Sequence, residues 1–289
     1  MDKLIHVITG DGLAAVAAVS SRELAERARV IHGASRTATA ALGRTLAAAA
    51  LLGSGLKNAS SSLTLRITGG GAIGTVIAVA EADGTVRCCA GDPAADVPLR
   101  ADGKLDVGGL VGRRGMLSVI RDEGSGEPYS GGTELVSGEI AEDLAAYLSA
   151  SEGQRCAAAL GVLVGGDGSV RQAGGFILRL LPGAPDDYAD AFERNIAALG
   201  SVTRVLSDGG GPRELAFRVL EGFEPRVIAE SEPRYECRCS RERVRDAVSG
   251  IGEAELRDIA EKGEPVEVTC RFCDAVYVFE PEELTATDG

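Results

Sequence analysis

The sequence contains no tryptophan, and aromatic residues make up only 4% of its 289 residues. A core with so few large rings must be packed mainly by Ala, Val, Leu and Ile. Hydrophobic residues make up 45% and charged residues 25%, the ordinary range for a soluble globular protein. The length suffices for one substantial core and a smaller second unit.

The chain also lacks a long apolar run. Polar residues interrupt its N-terminus, MDKLIHVITGDG, where a signal peptide would need an unbroken apolar stretch. The run TLAAAALLGSG is too short and too rich in glycine to span a bilayer. We therefore expect a cytoplasmic protein with no membrane segment.

Positive charge is scarce as well. Thirty Lys and Arg stand against 43 Asp and Glu, and the resulting net charge of −13 repels nucleic acid and anionic membranes at long range. We therefore expect neither of them as a partner. Because the cytoplasm is reducing, the seven cysteines indicate metal or redox chemistry rather than structural disulfides.

Short β-branched segments bounded by glycine dominate residues 1–181. LTLRIT, GTVIAVA and GTVRCCA have the composition of strands joined by tight turns. Three helical segments begin near Ser21, Ser35 and Ser137, which we expect to act as N-terminal caps. Paired strands beside a few helices favour an α+β core domain with a mixed β-sheet over a doubly wound parallel sheet.

One glycine motif suggests a different function. Gly69, Gly71 and Gly74 satisfy the G-x-G-x-x-G pattern of dinucleotide-binding proteins. That site requires a strand before the motif and a helix after it, so that the pyrophosphate meets a helix N-terminus. The residues that follow here, TVIAVAEADGTV, are β-branched and end in a turn. We therefore interpret the motif as a hairpin turn.

Residues 182–232 have the pattern of amphipathic helices. The first candidate helix carries Tyr188, Phe192 and Ile196 on one face, and a second carries Leu215, Val219 and Leu220. The stretch SDGGGP, residues 207–212, separates helical patterns. Short helices with so few large apolar groups are marginal alone, so we expect this linker segment to dock on the core sheet.

Residues 233–289 form a cysteine-rich tail with little apolar material. Five residues could form a very small core, but only with a covalent or metal staple. They are Val244, Val248, Ile251, Leu256 and Ile259. We therefore interpret the tail as a third, separately stabilised domain.

Four cysteines supply that staple. Cys237 and Cys239 form a C-x-C motif, and Cys270 and Cys273 form a C-x-x-C motif after 30 intervening residues. Paired thiols at both ends of a small insert suit tetrahedral zinc, and both histidines are distant in sequence, so we predict an all-cysteine zinc site. Zinc keeps thiols as thiolates, which oxidants attack. Oxidation could therefore form two local disulfides, expel the zinc and unfold the tail.

The same residues carry a family resemblance. CRCSRERV, the 30-residue insert and VTCRFCDAVYVF resemble the zinc redox switch of the redox-regulated heat-shock chaperones, the 33 kDa chaperonin family. The resemblance extends over nearly the whole chain through TATAALGRTLAAAALLGSGLK, ITGGGAIGTVIAVA, GKLDVGGLVG, EPYSG, LVSGEIAEDLA and GGFILRLLPGA.

The resemblance implies a non-enzymatic, ATP-independent holdase that is inactive when reduced and zinc-bound. It further implies that oxidation pairs Cys237 with Cys239 and Cys270 with Cys273. The linker then loosens, the protein forms a homodimer, and exposed apolar surface captures unfolding client proteins. Independently of the resemblance, helices that depend on docking beside a tail that depends on zinc form a switchable element.

The apolar faces of the linker helices are the candidate client-binding surface. Their release would expose apolar area of the kind that binds unfolded chains. The residues in this hypothesis are Tyr188, Phe192, Ile196, Leu215, Val219 and Leu220.

Two other functions are compatible with parts of the sequence. A zinc-ribbon adaptor for nucleic acid would use the arginines of RCSRERVRD, but acidic residues interleave with them, which favours a solvated helix face. An enzyme would need a histidine base near Cys88, Cys89 or Cys156. Nothing in the sequence places a histidine there, and we interpret these cysteines as packing residues.

Overall fold

The computed structural model describes residues 1–250 and 253–285. The chain forms two compact units, Met1–Glu236 and Cys237–Gly289. The strands of the first unit are β1 (Lys3–Ile8), β2 (Ala14–Ser20), β3 (Ser62–Thr68), β4 (Thr75–Glu81), β5 (Thr85–Ala90), β6 (Met116–Asp122), β7 (Tyr129–Glu134), β8 (Cys156–Val164), β9 (Val170–Leu180), β10 (Arg226–Ser231) and β11 (Arg234–Tyr235). Its helices are α1 (Arg22–His32), α2 (Arg36–Gly53), α3 (Val107–Val111), α4 (Ala141–Glu152), α5 (Asp187–Leu199), α6 (Val202–Ser207) and α7 (Pro212–Val219).

The second unit is smaller. Its described elements are α8 (Arg241–Ser249), α9 (Glu253–Lys262), β12 (Val266–Thr269), β13 (Val276–Phe279) and α10 (Pro281–Thr285). Strands β12 and β13 pair in antiparallel fashion.

Two sheets organise the first unit. One has the order β10-β1-β2-β9-β8, and the other has the order β11-β5-β4-β3-β6-β7. All strand pairs are antiparallel except β11 with β5. The predicted α+β class with a mixed sheet is therefore confirmed.

Helix α2 forms the centre of the core. Every one of its residues except Arg36 and Arg44 is buried, and its apolar side chains pack in one cluster with residues of both sheets. A helix that is apolar nearly all round must be buried on all sides. Its small residues permit close approach: a Cβ added at Gly53 would lie 2.5 Å from the Cβ of Ala80.

The glycine motif is a hairpin turn, as predicted. It joins β3 to β4, which are antiparallel neighbours, so no helix N-terminus follows it. A Cβ at Gly69 would lie 2.4 Å from the carbonyl oxygen of Gly112, and Gly71 N–H donates to the carbonyl of Val111 at 2.9 Å. The glycines therefore serve close backbone packing.

The helix caps differ in part from expectation. Ser35 caps α2 as predicted, accepting from the N–H of Ala38 at 3.1 Å. Ser21 does not cap α1 with its side chain; the carboxylate of Asp2 accepts from the N–H of Leu24 at 2.9 Å instead. Asp2 precedes α1 by two strands, so a local pattern could not reveal it.

Ser137 does not cap α4 either. The helix begins at Ala141, and the carboxylate of Asp143 accepts backbone N–H groups of four residues in the preceding loop. These are Val136, Ser137, Gly138 and Ile140. A buried carboxylate with several N–H donors replaces the single hydroxyl that the sequence pattern suggested.

The segment 182–232 lies on the sheet that contains β1, β2 and β9, as predicted. Its helices contribute Phe192, Leu215, Val219 and Leu220, all nearly or fully buried, to a cluster with residues of these strands. Tyr188 and Ile196 are partly buried against the same cluster.

The segment is not helical throughout. Arg226–Ser231 forms strand β10, which pairs with β1 at the edge of the sheet. Most of its side chains are exposed, so the sequence carries no apolar alternation to indicate a strand there. Within the described ranges, no helix combines the length and apolarity needed to cross a membrane.

None of the five residues predicted for a small core of the tail is fully buried among the residues that the structure describes. Val244, Val248 and Leu256 are only partly buried, Ile251 lies outside the described residues, and the side chain of Ile259 is not described. The buried large apolar side chains in the described part of this unit are instead Phe279 and Leu284. These residues lie after β12, in the strand and helix that follow the second cysteine pair.

Candidate metal centre

The four cysteines of the second unit converge on one point. Their Sγ atoms all lie within 4.8 Å of one another, although the two pairs are far apart in sequence. The Sγ atoms of Cys237 and Cys270 are 3.7 Å apart, and those of Cys239 and Cys273 are 3.3 Å apart. The structure thus brings together the four sulfurs that the spacing singled out.

Local backbone structure positions the second pair. Cys270 follows β12, and its N–H donates to the carbonyl of Ala275 at 2.9 Å. The N–H groups of Cys273 and Asp274 donate back to the carbonyl of Cys270 at 3.3 and 2.8 Å, closing a tight turn before β13. Asp274 adopts a left-handed conformation with φ of 57°. Asp and Asn tolerate this conformation better than most residues do, which fits the residue found here.

The first pair precedes a capped helix. Ser240 directly follows Cys239 and accepts from the N–H of Arg243 at 3.2 Å, which fixes the start of α8. Arg241, in the first turn of α8, pairs with Glu283 at 2.8 Å and stacks on the ring of Phe279 at 4.4 Å. These contacts join α8 to β13 and α10 within the unit.

The donor set fits a tetrahedral thiolate-binding ion. A Zn–S bond of about 2.3 Å implies about 3.8 Å between neighbouring sulfurs in a tetrahedral site. The 3.7 Å between the Sγ atoms of Cys237 and Cys270 matches this sulfur–sulfur distance. The Sγ atoms of Cys239 and Cys273 are closer, at 3.3 Å, and no two of the four are more than 4.8 Å apart. All seven cysteines of the chain are free thiols. The four tail cysteines are therefore positioned to hold a metal ion such as zinc.

The thiols of the cluster differ in their electrostatic surroundings. Burial raises the pKa of the Cys237 thiol and raises the pKa of Cys273 to about 11. At Cys239 burial acts in the same direction, but hydrogen bonds from Tyr277 and the neighbouring thiols outweigh it and lower the pKa. All four cysteines are half-buried.

Tyr277 is a site residue that sequence reasoning missed. Its hydroxyl donates to the Sγ of Cys239 at 3.1 Å, and this bond raises the pKa of Tyr277 to about 12. The tyrosine lies on β13, four residues after Cys273. The sequence does show a tyrosine close to the second cysteine pair. It does not show that the hydroxyl bonds to Cys239, which belongs to the first pair.

The remaining cysteines lie in the first unit. Cys88 and Cys89 are buried, as packing residues would be, and Cys156 is partly buried. Burial raises the pKa of Cys88. The Nε2 atom of His32 lies 2.9 Å from the carbonyl oxygen of Cys88, a proximity that the sequence did not predict.

The fold and the centre define a two-unit α+β protein whose small unit is organised around a four-cysteine metal-binding cluster. The family model described as Hsp33 protein matches residues 2–280. This chain belongs to that family, and the resemblance found in the sequence is confirmed.

Relatives and a solved structure agree with this assignment. The 33 kDa chaperonin of Clostridium botulinum (strain Langeland) is 40% identical over 98% of this chain and 96% of its own length. That of Clostridioides difficile (strain 630) is 41% identical over 98% and 97%. The crystal structure of the 33 kDa chaperonin of Thermotoga maritima matches with a TM-score of 0.88 at 36% identity, covering 97% of this chain and 96% of that one. Membership of this family supports a chaperone role.

Proposed function

We propose that this protein is a redox-regulated, ATP-independent holdase of the cytoplasm. It binds unfolding proteins under oxidative stress and prevents their aggregation. The observation that carries the proposal is the cluster of four half-buried thiols in a unit whose described residues include very few buried large apolar side chains. Such a unit depends on the cluster for its folded state, so chemistry at sulfur controls the whole unit.

In the reduced state, Cys237, Cys239, Cys270 and Cys273 hold one zinc ion. Bound zinc keeps the sulfurs as thiolates and joins the two ends of the insert between residues 239 and 270. The hydrogen bond from Tyr277 orients the sulfur of Cys239. In this state the tail is folded and the chaperone is inactive.

Oxidation by a peroxide reverses this state. Each pair of thiolates gives up two electrons and forms one S–S bond, while one peroxide takes up two electrons and two protons and leaves as two water molecules. We propose that the pairs are Cys237 with Cys239 and Cys270 with Cys273, as the family resemblance implies. Sulfurs joined in disulfides are no longer thiolate ligands, so the zinc leaves and the tail, residues 233–289, unfolds.

The linker, residues 182–232, is the second part of the switch. Its helices bury Phe192, Leu215, Val219 and Leu220 on the sheet, with Tyr188 and Ile196 at the margin. When the linker loosens, these side chains and the sheet beneath them become available to clients. We propose that the active form is a homodimer. The separation into a core (residues 1–181), a linker and a tail is part of this proposal.

The surroundings of the other candidate sites support a non-enzymatic protein without a nucleic-acid partner. His32 contacts the backbone carbonyl of Cys88, and the raised thiol pKa leaves Cys88 a poor nucleophile. In the basic stretch of the tail, Arg241 pairs with Glu283 and Arg245 pairs with Asp246 at 3.6 Å. These ion pairs support a solvated helix face rather than a nucleic-acid-binding surface.

The proposal can be tested by mapping the oxidised state. The reduced, zinc-loaded chain is treated with peroxide at a mildly unfolding temperature, and zinc content, disulfide connectivity by mass spectrometry, and hydrogen exchange of residues 187–220 are measured together. We expect loss of about one zinc per chain, disulfides between sequence neighbours, and loss of protection in the linker. Retained zinc with full linker protection would contradict the proposed switch.

A further inference from the structure

The outer edge of β8 lacks the charges and prolines that usually keep an exposed strand edge from pairing with other chains. β8 is the last strand of its sheet, and no described strand pairs with its outer side. Its nine residues, CAAALGVLV, include no charged residue and no proline. Soluble proteins usually protect a long apolar edge with charges, prolines or short strands, because such an edge recruits other chains.

The other long edges of the two sheets are protected. β10 carries Arg226 and Glu230 among its six residues. β7 carries adjacent Gly131 and Gly132 and ends at Glu134. Glycine weakens a strand and charge opposes pairing with another apolar chain. The absence of such protection on β8 is therefore a specific property of this edge.

The strand register shows which backbone groups face outward. Leu180 N–H donates to the carbonyl of Arg155 at 2.8 Å, so this opposed pair is hydrogen-bonded. Hydrogen-bonded and non-bonded pairs alternate along an antiparallel ladder. With the register of β8 on β9, the N–H and C=O groups of Ala158, Leu160 and Val162 therefore point away from β9.

A groove runs along this edge. Its volume is 670 Å³, and the seven residues from Ala158 to Val164 line it. At about 3.3 Å per residue they span roughly 20 Å, which is long enough for a bound strand of several residues. The groove thus presents free backbone donors and acceptors over a strand-length path.

One wall of the groove is cationic in a protein with a net charge of −13. Arg36, Arg44, Arg100 and Lys104 line it, together with two carboxylates, Glu139 and Glu142. Glu139 neutralises part of this charge, since it pairs with Arg44 at 2.5 Å and with Arg100 at 3.7 Å. Asp102 pairs with both Arg100 and Lys104 at 3.6 Å, although the side chain of Lys104 remains 78% exposed. Four cationic side chains against these carboxylates still leave an excess of positive charge at the groove, which favours an acidic ligand.

The opposite wall belongs to the linker. Residues 200–203, at the start of α6, line the groove. A Cβ added at Gly161 would lie 2.9 Å from the Cγ2 of Thr203, so glycine permits α6 to pack closely on β8. Release of the linker removes this wall and widens access to the edge.

We infer that β8 is a client-binding edge: an extended, acidic segment of an unfolding protein adds to it as a new strand, hydrogen-bonded to Ala158, Leu160 and Val162. Backbone hydrogen bonds supply affinity that does not depend on client sequence, and the cationic wall selects acidic segments. The inference rests on the proposed holdase function and assigns part of its client recognition to a backbone edge.

The test measures binding of a fluorescein-labelled ten-residue peptide of alternating Val and Glu to the full oxidised chain. A peptide N-methylated at every residue has no N–H donor on either edge of the strand and cannot make the edge hydrogen bonds, and a peptide with Lys in place of Glu has the wrong charge. Loss of one or two hydrogen bonds corresponds to about tenfold in affinity. We expect the N-methylated and Lys peptides to bind at least about tenfold more weakly than the parent peptide.

A matched pair of variants tests the strand itself. Ala158→Pro removes an outward N–H without removing a hydrogen bond to β9, while Ala158→Val keeps the N–H at a similar size. We expect about tenfold weaker peptide binding for the first and less than a twofold change for the second. Zinc content and thermal unfolding of the reduced chain establish that both variants are folded.

A second pair of variants leaves β8 unchanged and reverses surface charge instead. Arg36→Glu combined with Lys104→Glu reverses charge on the wall at two exposed residues, and Arg113→Glu reverses charge at an exposed residue outside the groove. We expect weaker binding of the acidic peptide only for the first variant. Unchanged affinity in both the folded proline variant and the wall variant would overturn the inference.

Two further outcomes are decisive. If the parent peptide does not bind and Ala158→Pro abolishes the dimer in sedimentation, β8 is an interface between two copies and the inference is wrong. If the wild-type chain suppresses client aggregation after oxidation but N-methylation does not weaken peptide binding, only the edge inference fails. Failure of the proposed holdase function is recognised separately, by absent aggregation suppression in the wild-type chain.

Discussion

The hydroxyl of Tyr277 donates a hydrogen bond to the Sγ of Cys239 at 3.1 Å, and the two residues lie 38 positions apart in the chain. The bond connects β13 to the first cysteine pair and helps to lower the pKa of the Cys239 thiol, against the effect of burial. Groups that hydrogen-bond to metal ligands orient them and raise metal affinity. Tyr277 therefore belongs to the centre although it is not a ligand.

We predict that Tyr277→Phe weakens zinc binding by about 10-fold, because removal of such supporting bonds commonly costs 10- to 100-fold in metal affinity. Competition with a chromophoric chelator measures the effect. Tyr129→Phe, at an exposed tyrosine of β7, is the control and should leave zinc affinity unchanged. Equal zinc affinity of Tyr277→Phe and the wild type would remove Tyr277 from the centre.

Substitution of the proposed ligands should separate them from the packing cysteines. Cys237→Ser or Cys239→Ser should lower zinc affinity strongly and reduce hydrogen-exchange protection in the linker. Cys88→Ala removes a fully buried thiol from the first unit and should destabilise that unit by about 1 kcal/mol while leaving zinc stoichiometry intact. Zinc analysis of the three purified variants distinguishes the two classes, and loss of zinc from Cys88→Ala alone would contradict the assignment.

Removal of zinc from the reduced chain should unfold the tail selectively. Phe279 and Leu284 are its buried large apolar side chains among the described residues, and structural zinc sites contribute about 10 to 16 kcal/mol of apparent binding free energy. Hydrogen exchange after chelation should show lost protection in residues 266–279 and retained protection in α2. Addition of zinc should restore the tail. A protected tail in the zinc-free chain would show that the cluster is not its main source of stability.

The linker helices should cover apolar residues of the sheet and keep them from binding clients in the reduced state. Leu215→Asn places a polar group at a fully buried position and should undock α7, so the reduced chain should bind an unfolding client without oxidation. Glu214→Gln, at the neighbouring exposed position, is the matched control. Static light scattering with a thermally unfolding client measures the effect. Unchanged reduced-state binding by Leu215→Asn would contradict the masking hypothesis.

The carboxyl group of Asp2 should give the first unit a characteristic pH dependence. Burial raises the pKa of Asp2 to about 6, despite hydrogen bonds from Leu24 and Glu23. The folded state then binds the proton more tightly than the unfolded state, so the free energy of unfolding falls as the pH rises from about 4 to 6. The loss amounts to no more than about 3 kcal/mol for a shift of this size.

Asp2→Asn removes this titration and keeps an oxygen that can cap α1. Urea unfolding of the zinc-loaded chain between pH 4 and 7 should show that the variant gains stability over the wild type as the pH rises through this range. Burial lowers the pKa of His6, but that group is common to both proteins, so their difference isolates Asp2. A difference independent of pH would exclude this role for Asp2.

Short-range sequence patterns predicted the cysteine cluster, the linker helices and the N-terminal cap of α2. The cysteine spacing identified the four sulfurs that the structure brings together, and apolar periodicity identified the linker helices and the residues they bury. Ser35 caps α2 because its partner lies three residues away. These features depend on residues close together along the chain.

Features that depend on contacts distant in sequence were missed. The cap of α1 comes from Asp2, and β10 is a strand because β1 lies beside it, although its own side chains are mostly exposed. Helical periodicity did not indicate Phe279 and Leu284, the buried large apolar residues in the described part of the tail. Phe279 lies under the guanidinium of Arg241, 38 residues earlier in the chain, a contact that no local pattern indicates.

The central claim is tested most directly by light scattering of an unfolding client in the presence of this protein. The protein is supplied either reduced and zinc-loaded or treated with peroxide at a mildly unfolding temperature, with zinc release followed in the same cuvette. The account predicts suppressed aggregation only after oxidation, together with loss of about one zinc per chain. Equal aggregation in both states with zinc retained would contradict it and would make the four-cysteine centre purely structural.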